Sequence, residues 1–166
     1  MLTRTKLQNN FYLSCDITRI SKILAHYELY KKVMDLPGAI VECGVFKGAS
    51  LSRFAMFREL FENPFSRKII GFDIFGKFPE TSFEQDKSFR QNFINGAGEE
   101  SISKEQLIKI LEHKGVNKFV ELIKGDIVKT IPDYIKKNPQ LKISLLNLDT
   151  DIYEPAVTIL QELYPR

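Results

Sequence analysis

Residues 39–60 read AIVECGVFKGASLSRFAMFREL, and the hydrophobic period changes in the middle of the stretch. Ala39 to Val45 is a short apolar run broken by one acid, as in a strand buried on both faces. From Gly48 to Glu62, Leu51, Phe54, Ala55 and Phe61 recur at helical spacing, and Asn63-Pro64 stops the run. Glycines at 44 and 48 occupy the turn between them. A buried strand, a tight turn and a helix make the first half of a βαβ unit.

The same alternation recurs outward from this stretch. Lys68 to Asp73 (KIIGFD), Phe119 to Lys124 and Lys142 to Leu148 (KISLLNL) are predicted as three further strands. Ser103 and Gln106 fit a capping box that opens a helix with Leu107, Ile110 and Leu111 on its face, closed at Gly115. A short helix is predicted over Ile131 to Lys137 with Pro132 in its first turn, and a last one from about Glu154 with Pro155 in its first turn. Before the first strand, Asp16 caps a helix whose apolar positions are Ile17, Ile20, Leu24, Tyr27 and Met34, ended by Pro37-Gly38. The pattern is that of an α/β protein with a doubly wound parallel sheet, residues 39–166, preceded by a helical segment, residues 1–38. Residues 74–100 show no convincing period, yet contain Phe75, Phe78, Phe83, Phe89 and Phe93, and read as a partly ordered lid or substrate wall.

A chain of 166 residues has the size of one domain, and 43% apolar against 27% charged residues is ordinary globular usage. The net charge of +3 implies no nucleic-acid partner. That excess lies at the front: residues 1–38 carry six Lys or Arg and three Asp or Glu, and residues 39–166 carry eighteen of each. No uncharged run approaches the ~20 residues of a membrane span, and the start lacks a signal peptide's apolar core, so a cytoplasmic location is expected. Two cysteines and two histidines exclude a disulfide framework and the familiar zinc motifs. Cys43 reads as a buried thiol and His26 as a packing residue.

In open α/β sheets ligands bind beyond the carboxyl ends of the strands. There the sequence places Glu42-Cys43-Gly44-Val45-Phe46-Lys47-Gly48-Ala49-Ser50, Asp73, Gly125-Asp126 and Asp149-Thr150-Asp151. Phe46 stands where a dinucleotide fingerprint needs its second glycine, and no GxxxxGK[ST] is present. ExGxxxG remains, either a turn for a nucleoside or amino-acid ligand without a pyrophosphate, or a plain strand-to-helix turn with a surface glutamate. Asp73 and Asp126 each read two ways, as holders of a nucleoside or as loop caps. Asp149 and Asp151 offer hard oxygen ligands suited to Mg²⁺, or helix-terminal acids favoured by the dipole.

The strings PGAIVECGVFKGAS, GFDIFGKFPE, IKGDIVKTIPDYI and LLNLDTDIYEPAVTILQELYP together resemble successive motifs of the macrocin O-methyltransferase family, S-adenosylmethionine-dependent and Mg²⁺-dependent sugar O-methyltransferases. The resemblance runs from about Leu36 to Arg166. It implies that Glu42, Gly44, Val45, Gly48 and Ser50 line the methionine end of the cofactor, that Asp73 holds the ribose and that Asp126 lies near the adenine. It also implies that Asp149 is a metal ligand beside the cofactor and Asp151 the general base. Thr150 stands where many members have glycine. The family's further metal ligands, two adjacent aspartates on a later segment, are not in this sequence, and of the seven strands usual for such a sheet four are readable. The fourth strand is expected at an apolar edge, covered by another chain such as a second copy or left open in an incomplete, non-catalytic cofactor-binding domain. An apolar strand followed by DxD also resembles the metal site of nucleotide-sugar glycosyltransferases, a second enzyme class.

Overall fold

The structure is a computed structural model and describes residues 10–81 and 83–166. Helix α1 spans Ile17–Val33, followed by strand β1, Ala39–Cys43, and helix α2, Ala49–Phe61. Strand β2 is Ile69–Asp73, and helices α3, Glu84–Ala97, and α4, Lys104–Lys114, follow it. Strand β3, Val120–Lys124, helix α5, Ile127–Lys137, strand β4, Ile143–Leu148, and helix α6, Tyr153–Glu162, complete the described chain. All strand pairs are parallel and the order is β3-β2-β1-β4.

Successive strand residues point to opposite faces, and each face has its own core. Ile40, Ile69, Leu122 and Leu145 pack with Tyr30 and Val33 of α1, Leu51, Phe54 and Ala55 of α2, and Leu107 and Leu111 of α4. Val41, Cys43, Ile70 and Phe72 pack with Ile127, Ile131 and Ile135 of α5 and Ile159 of α6. The fold is thus a four-stranded doubly wound α/β sheet, as the alternation predicts. The chain builds outward from β1 to β3, then returns across the other face to lay β4 against β1. The strand order reverses between β1 and β4, and ligand crevices open at such a reversal.

Four expectations need correction. Residues 84–97 form helix α3, not irregular chain. None of its residues is buried, so an apolar stripe was never required, and it is held by Phe93, whose ring centroid lies 5.2 Å from those of both Phe46 and Phe78. Helix α1 turns inward His26, Tyr30 and Val33, while Ile17 (78% exposed) and Leu24 (58%) face out. Helix α5 begins at Ile127 rather than Ile131, so Pro132 lies inside it. Phe61 and Ile110, expected on core faces, are also exposed. Among the described residues no helix is long and apolar enough to cross a membrane.

Candidate functional site

One backbone bond ties the end of β4 to β1 and another ties the end of β1 to β2. The Asp149 amide donates to Cys43 O at 2.9 Å, and the Gly44 amide donates to Phe72 O at 2.9 Å. Gly44 has φ +89°, and a Cβ there would stand 2.0 Å from the Asp149 carbonyl oxygen. Only glycine permits this approach of the two loops. Around the junction lies a cleft lined by Gly44, Asp73, Gly125, Asp126, Asp149, Thr150 and Asp151 from the ends of all four strands, and by Phe46, Phe78 and Phe93. A second, more polar cleft on the α1 side shares Gly44, Phe46, Phe93, Asp149 and Asp151 and adds Val45 and Ser50.

Glu42 is fully buried, so the surface-glutamate reading fails. Its Oε1 accepts a 2.6 Å bond from Ser50 Oγ, and its Oε2 has no partner among the described residues. Burial, with Asp149 adding repulsion and the Ser50 bond opposing, pushes its carboxyl up to about 8. Glu42 is itself in the lining of neither cleft, and only its partner Ser50 reaches the second one. Gly48 has φ +78° and caps α2, and a Cβ there would meet Leu107 Cδ1 at 2.6 Å. It packs α4 against the turn and is in the lining of neither cleft.

Asp73 lines the first cleft, but its oxygens are engaged by the protein. Oδ2 accepts from the amides of Val45 (2.8 Å) and Phe46 (3.0 Å), and Oδ1 from the Phe75 amide (2.6 Å) and Ser101 Oγ (3.0 Å). These bonds hold the β1 and β2 loops together, with both Phe46 (φ 49°) and Phe75 (φ 47°) in the left-handed region. Asp126 caps α5 by accepting from the Val128 amide at 3.0 Å, with its remaining surface in the cleft. For both residues the loop-cap role is present in the geometry.

Asp151 has φ 62°, an uncommon conformation for a residue other than glycine and one that clusters at functional sites. Burial first, then the neighbouring Asp149, raises its carboxyl above the usual range. The Asp149 carboxylate is half exposed, with Lys22 Nζ 3.6 Å from Oδ2. The described residues contain no group of three or more His, Cys, Asp or Glu able to hold a metal ion. Two adjacent carboxylates are still the kind of donor set Mg²⁺ takes when waters and substrate oxygens complete its shell. Thr150 is buried, with an unpartnered Oγ1 at the cleft wall.

Sequence reasoning missed Ser101, the hydroxyl that ties the insertion to Asp73, because a lone serine in a loop carries no signal. It also missed the cleft positions of Arg19 and Lys22, which follow only from the docking of α1 beside β4, and of Arg53 on α2. Cys43 and His26 are buried as expected, and burial raises the Cys43 thiol far above its usual range. His26 stacks on Phe54, ring centroids 4.9 Å apart.

The fold has known counterparts. A calicheamicin methyltransferase, CalS11, shares 31% identity and superposes with a TM-score of 0.81 over 99% of this chain and 66% of its own. The apo structure of CalS11, described as a TDP-rhamnose 3'-O-methyltransferase of calicheamicin biosynthesis, gives 29%, 0.68, 99% and 65%. The O-methyltransferase NovP, at 20% identity and TM-score 0.66 over 85% of this chain and 59% of its own, shares the fold. The chain therefore spans less than two thirds of the length of these proteins. No curated protein sequence matches it. The profile of the Macrocin-O-methyltransferase (TylF) family matches residues 19–166, from α1 through α6, and the chain belongs to that family.

Proposed function

We propose that this chain is a cytoplasmic S-adenosylmethionine-dependent, Mg²⁺-assisted O-methyltransferase acting on a hydroxyl of a sugar or similar small molecule. The observation that carries the reading is the contact of Gly44 with the Asp149 carbonyl, which brings the ExGxxxG turn and the DxD acids to one pair of joined clefts. Family membership and the likeness to sugar O-methyltransferases support the methyl-transfer chemistry over the glycosyltransferase alternative.

Methyl transfer from a sulfonium is an in-line displacement that requires alignment of donor and acceptor and an oxygen nucleophile freed of its proton. In this reading Ser50, held from behind by Glu42, binds the amino-acid end of the donor. Gly44 lets the two loops meet beside the donor, and Asp73 and Asp126 face its nucleoside end. Gly48 acts through the turn it caps. Asp149, with Asp151 beside it, would hold Mg²⁺, which when bound stabilises charge developing on the acceptor oxygen. Asp151 takes the acceptor proton. The aromatic wall of Phe46, Phe78 and Phe93 excludes water from the transfer.

Asp151→Asn is expected to leave S-adenosylhomocysteine affinity within about twofold of wild type, by calorimetry, while lowering turnover by at least ~100-fold. Undiminished turnover removes Asp151 as the base. Absence of S-adenosylhomocysteine binding by the wild-type protein removes the methyltransferase reading altogether.

A further inference from the structure

Asp73 ends β2 at the first cleft, is buried, and has a crowded carboxylate. A carboxylate offers roughly four acceptor sites, and four protein donors already occupy them. Three are the main-chain amides of Val45, Phe46 and Phe75, which cannot leave without moving the chain. Phe46 is held from its other side as well, where its carbonyl accepts from the Ile102 amide at 2.8 Å. The fourth donor, the Ser101 hydroxyl, differs in kind. Its proton turns about a single C–O bond, and a second acceptor is in reach: the Ile102 carbonyl at 3.4 Å, against 3.0 Å for Asp73 Oδ1. The oxygen itself is fixed, because it accepts from the Gly76 amide at 2.9 Å while the Ser101 amide donates to the Gly76 carbonyl at 2.8 Å. Ser101 lines the same cleft as Asp73, so a ligand that reaches the carboxylate meets this hydroxyl too.

A ribose hydroxyl donating to Asp73 is a fifth donor to a carboxylate with roughly four sites. We propose that Ser101 is the donor it displaces: when the nucleoside binds, the Ser101 proton turns from Asp73 Oδ1 to the Ile102 carbonyl and the ribose hydroxyl takes the vacated site. This rests on the S-adenosylmethionine reading and adds to it a positioning residue that acts through Asp73. In the free protein the Ser101 bond satisfies an oxygen that burial would otherwise leave short of a partner. On binding, one hydrogen bond to a charged oxygen is traded for another, so the ribose hydroxyl adds less to affinity than it would at a vacant carboxylate. Gly76 and Ser101 also flank the excursion that carries Phe78 and Phe93, closed above them by the bond from the Phe78 amide to the Glu99 carbonyl at 2.7 Å. The hydroxyl that answers the ribose thus stands at the root of the aromatic wall of the cleft.

Calorimetry with S-adenosylhomocysteine and with its 2′-deoxy and 3′-deoxy analogues tests the exchange in wild type, Ser101→Ala and Ser101→Thr. Wild type is expected to lose at most about fivefold in affinity for either analogue, because Ser101 refills the site that the missing hydroxyl leaves. In Ser101→Ala nothing refills it, and for one of the two analogues the loss is expected to exceed the wild-type loss by at least about threefold. Ser101→Thr keeps a hydroxyl and is expected to match wild type. Looser packing of the excursion in Ser101→Ala weakens all three ligands alike, so the ratio of affinities is read whatever happens to each of them, and the wild-type measurement needs no variant to fold. A wild-type loss above about fivefold, or a Ser101→Ala loss less than about threefold beyond the wild-type one for both analogues, overturns the exchange and leaves Ser101 as a tie within the loop. Either result leaves the methyltransferase reading in place, since S-adenosylhomocysteine itself has bound. A wild-type protein that does not bind S-adenosylhomocysteine overturns that reading, and the exchange with it.

Discussion

Glu42 concentrates the electrostatic tension of the site in one side chain. Its folded carboxyl titrates at about 8 against an ordinary value of 4.5, because burial outweighs the single Ser50 bond. A carboxyl raised on folding favours the folded state fully below pH 4.5, and that contribution is lost as pH rises toward 8. Ligand-free protein should therefore lose stability across this window by more than Glu42→Gln does, in urea denaturation at successive pH values. Equal slopes for the two proteins would show that Glu42 does not titrate in that range. At Gly44 the constraint is steric: Gly44→Ala puts a methyl carbon 2.0 Å from the Asp149 carbonyl at a φ of +89°. A loss of at least ~2 kcal/mol is expected from strain and forced separation of the loops, read from the same denaturation curves. The identities of both residues were legible from the ExGxxxG spacing. The orphaned Oε2 and the collision with Asp149 were not, because each depends on a group more than one hundred residues away or on burial by another element.

At the scale of elements, local signals were read well where a cap announces them. Asp16 accepts from the Thr18 amide, Ser103 and Gln106 close a reciprocal capping box, and Gly115 ends α4 in the left-handed conformation. The phase of α1 was misread because its inward face carries aromatic residues with polar tips. Tyr30 donates its hydroxyl to Glu62, and His26 lies on Phe54, so hydropathy alone ranks Leu24 above them. Helix α3 was missed for the opposite reason, having no buried face to generate a period. It is anchored at its start, where Asp86 Oδ2 accepts from the Tyr153 amide at 2.7 Å and Phe83 stacks on Tyr153 with centroids 4.7 Å apart. Helix α5 offers a test of what Asp126 does: Asp126→Ala should cost ~1 kcal/mol of stability and Asp126→Asn much less, since asparagine also caps. If thermal unfolding shows equal losses for the two variants, capping is not the residue's structural role.

Across the whole molecule, β3 and β4 are the two edges of the sheet, and β4 lies directly beside the β1 strand that carries the site. Leu146 and Leu148 of β4 are only partly buried, and its outer backbone edge has no strand partner among the described residues. Open edges of this kind recruit further strands. We expect concentration-dependent self-association through β4, visible as a rise in sedimentation-average mass, and a monomer at every concentration would refute it. At the N-terminal ends of the strands, away from the clefts, buried Arg58 of α2 donates to the carbonyls of Arg67, Val116 and Lys118, tying the starts of β2 and β3 together.

The amino-acid sequence by itself determined the alternation of strands and helices, most of the caps, and the set of acids and glycines that end the strands, because each is written in contacts between residues a few positions apart. The tertiary structure alone decided that β4 returns to lie against β1, that Asp73 is enclosed by four donors, and that the cations of α1 face the cleft beside Asp149. Those outcomes depend on contacts distant in the chain, whose pairing is set by how two apolar faces of one sheet are covered, and no local period records that choice.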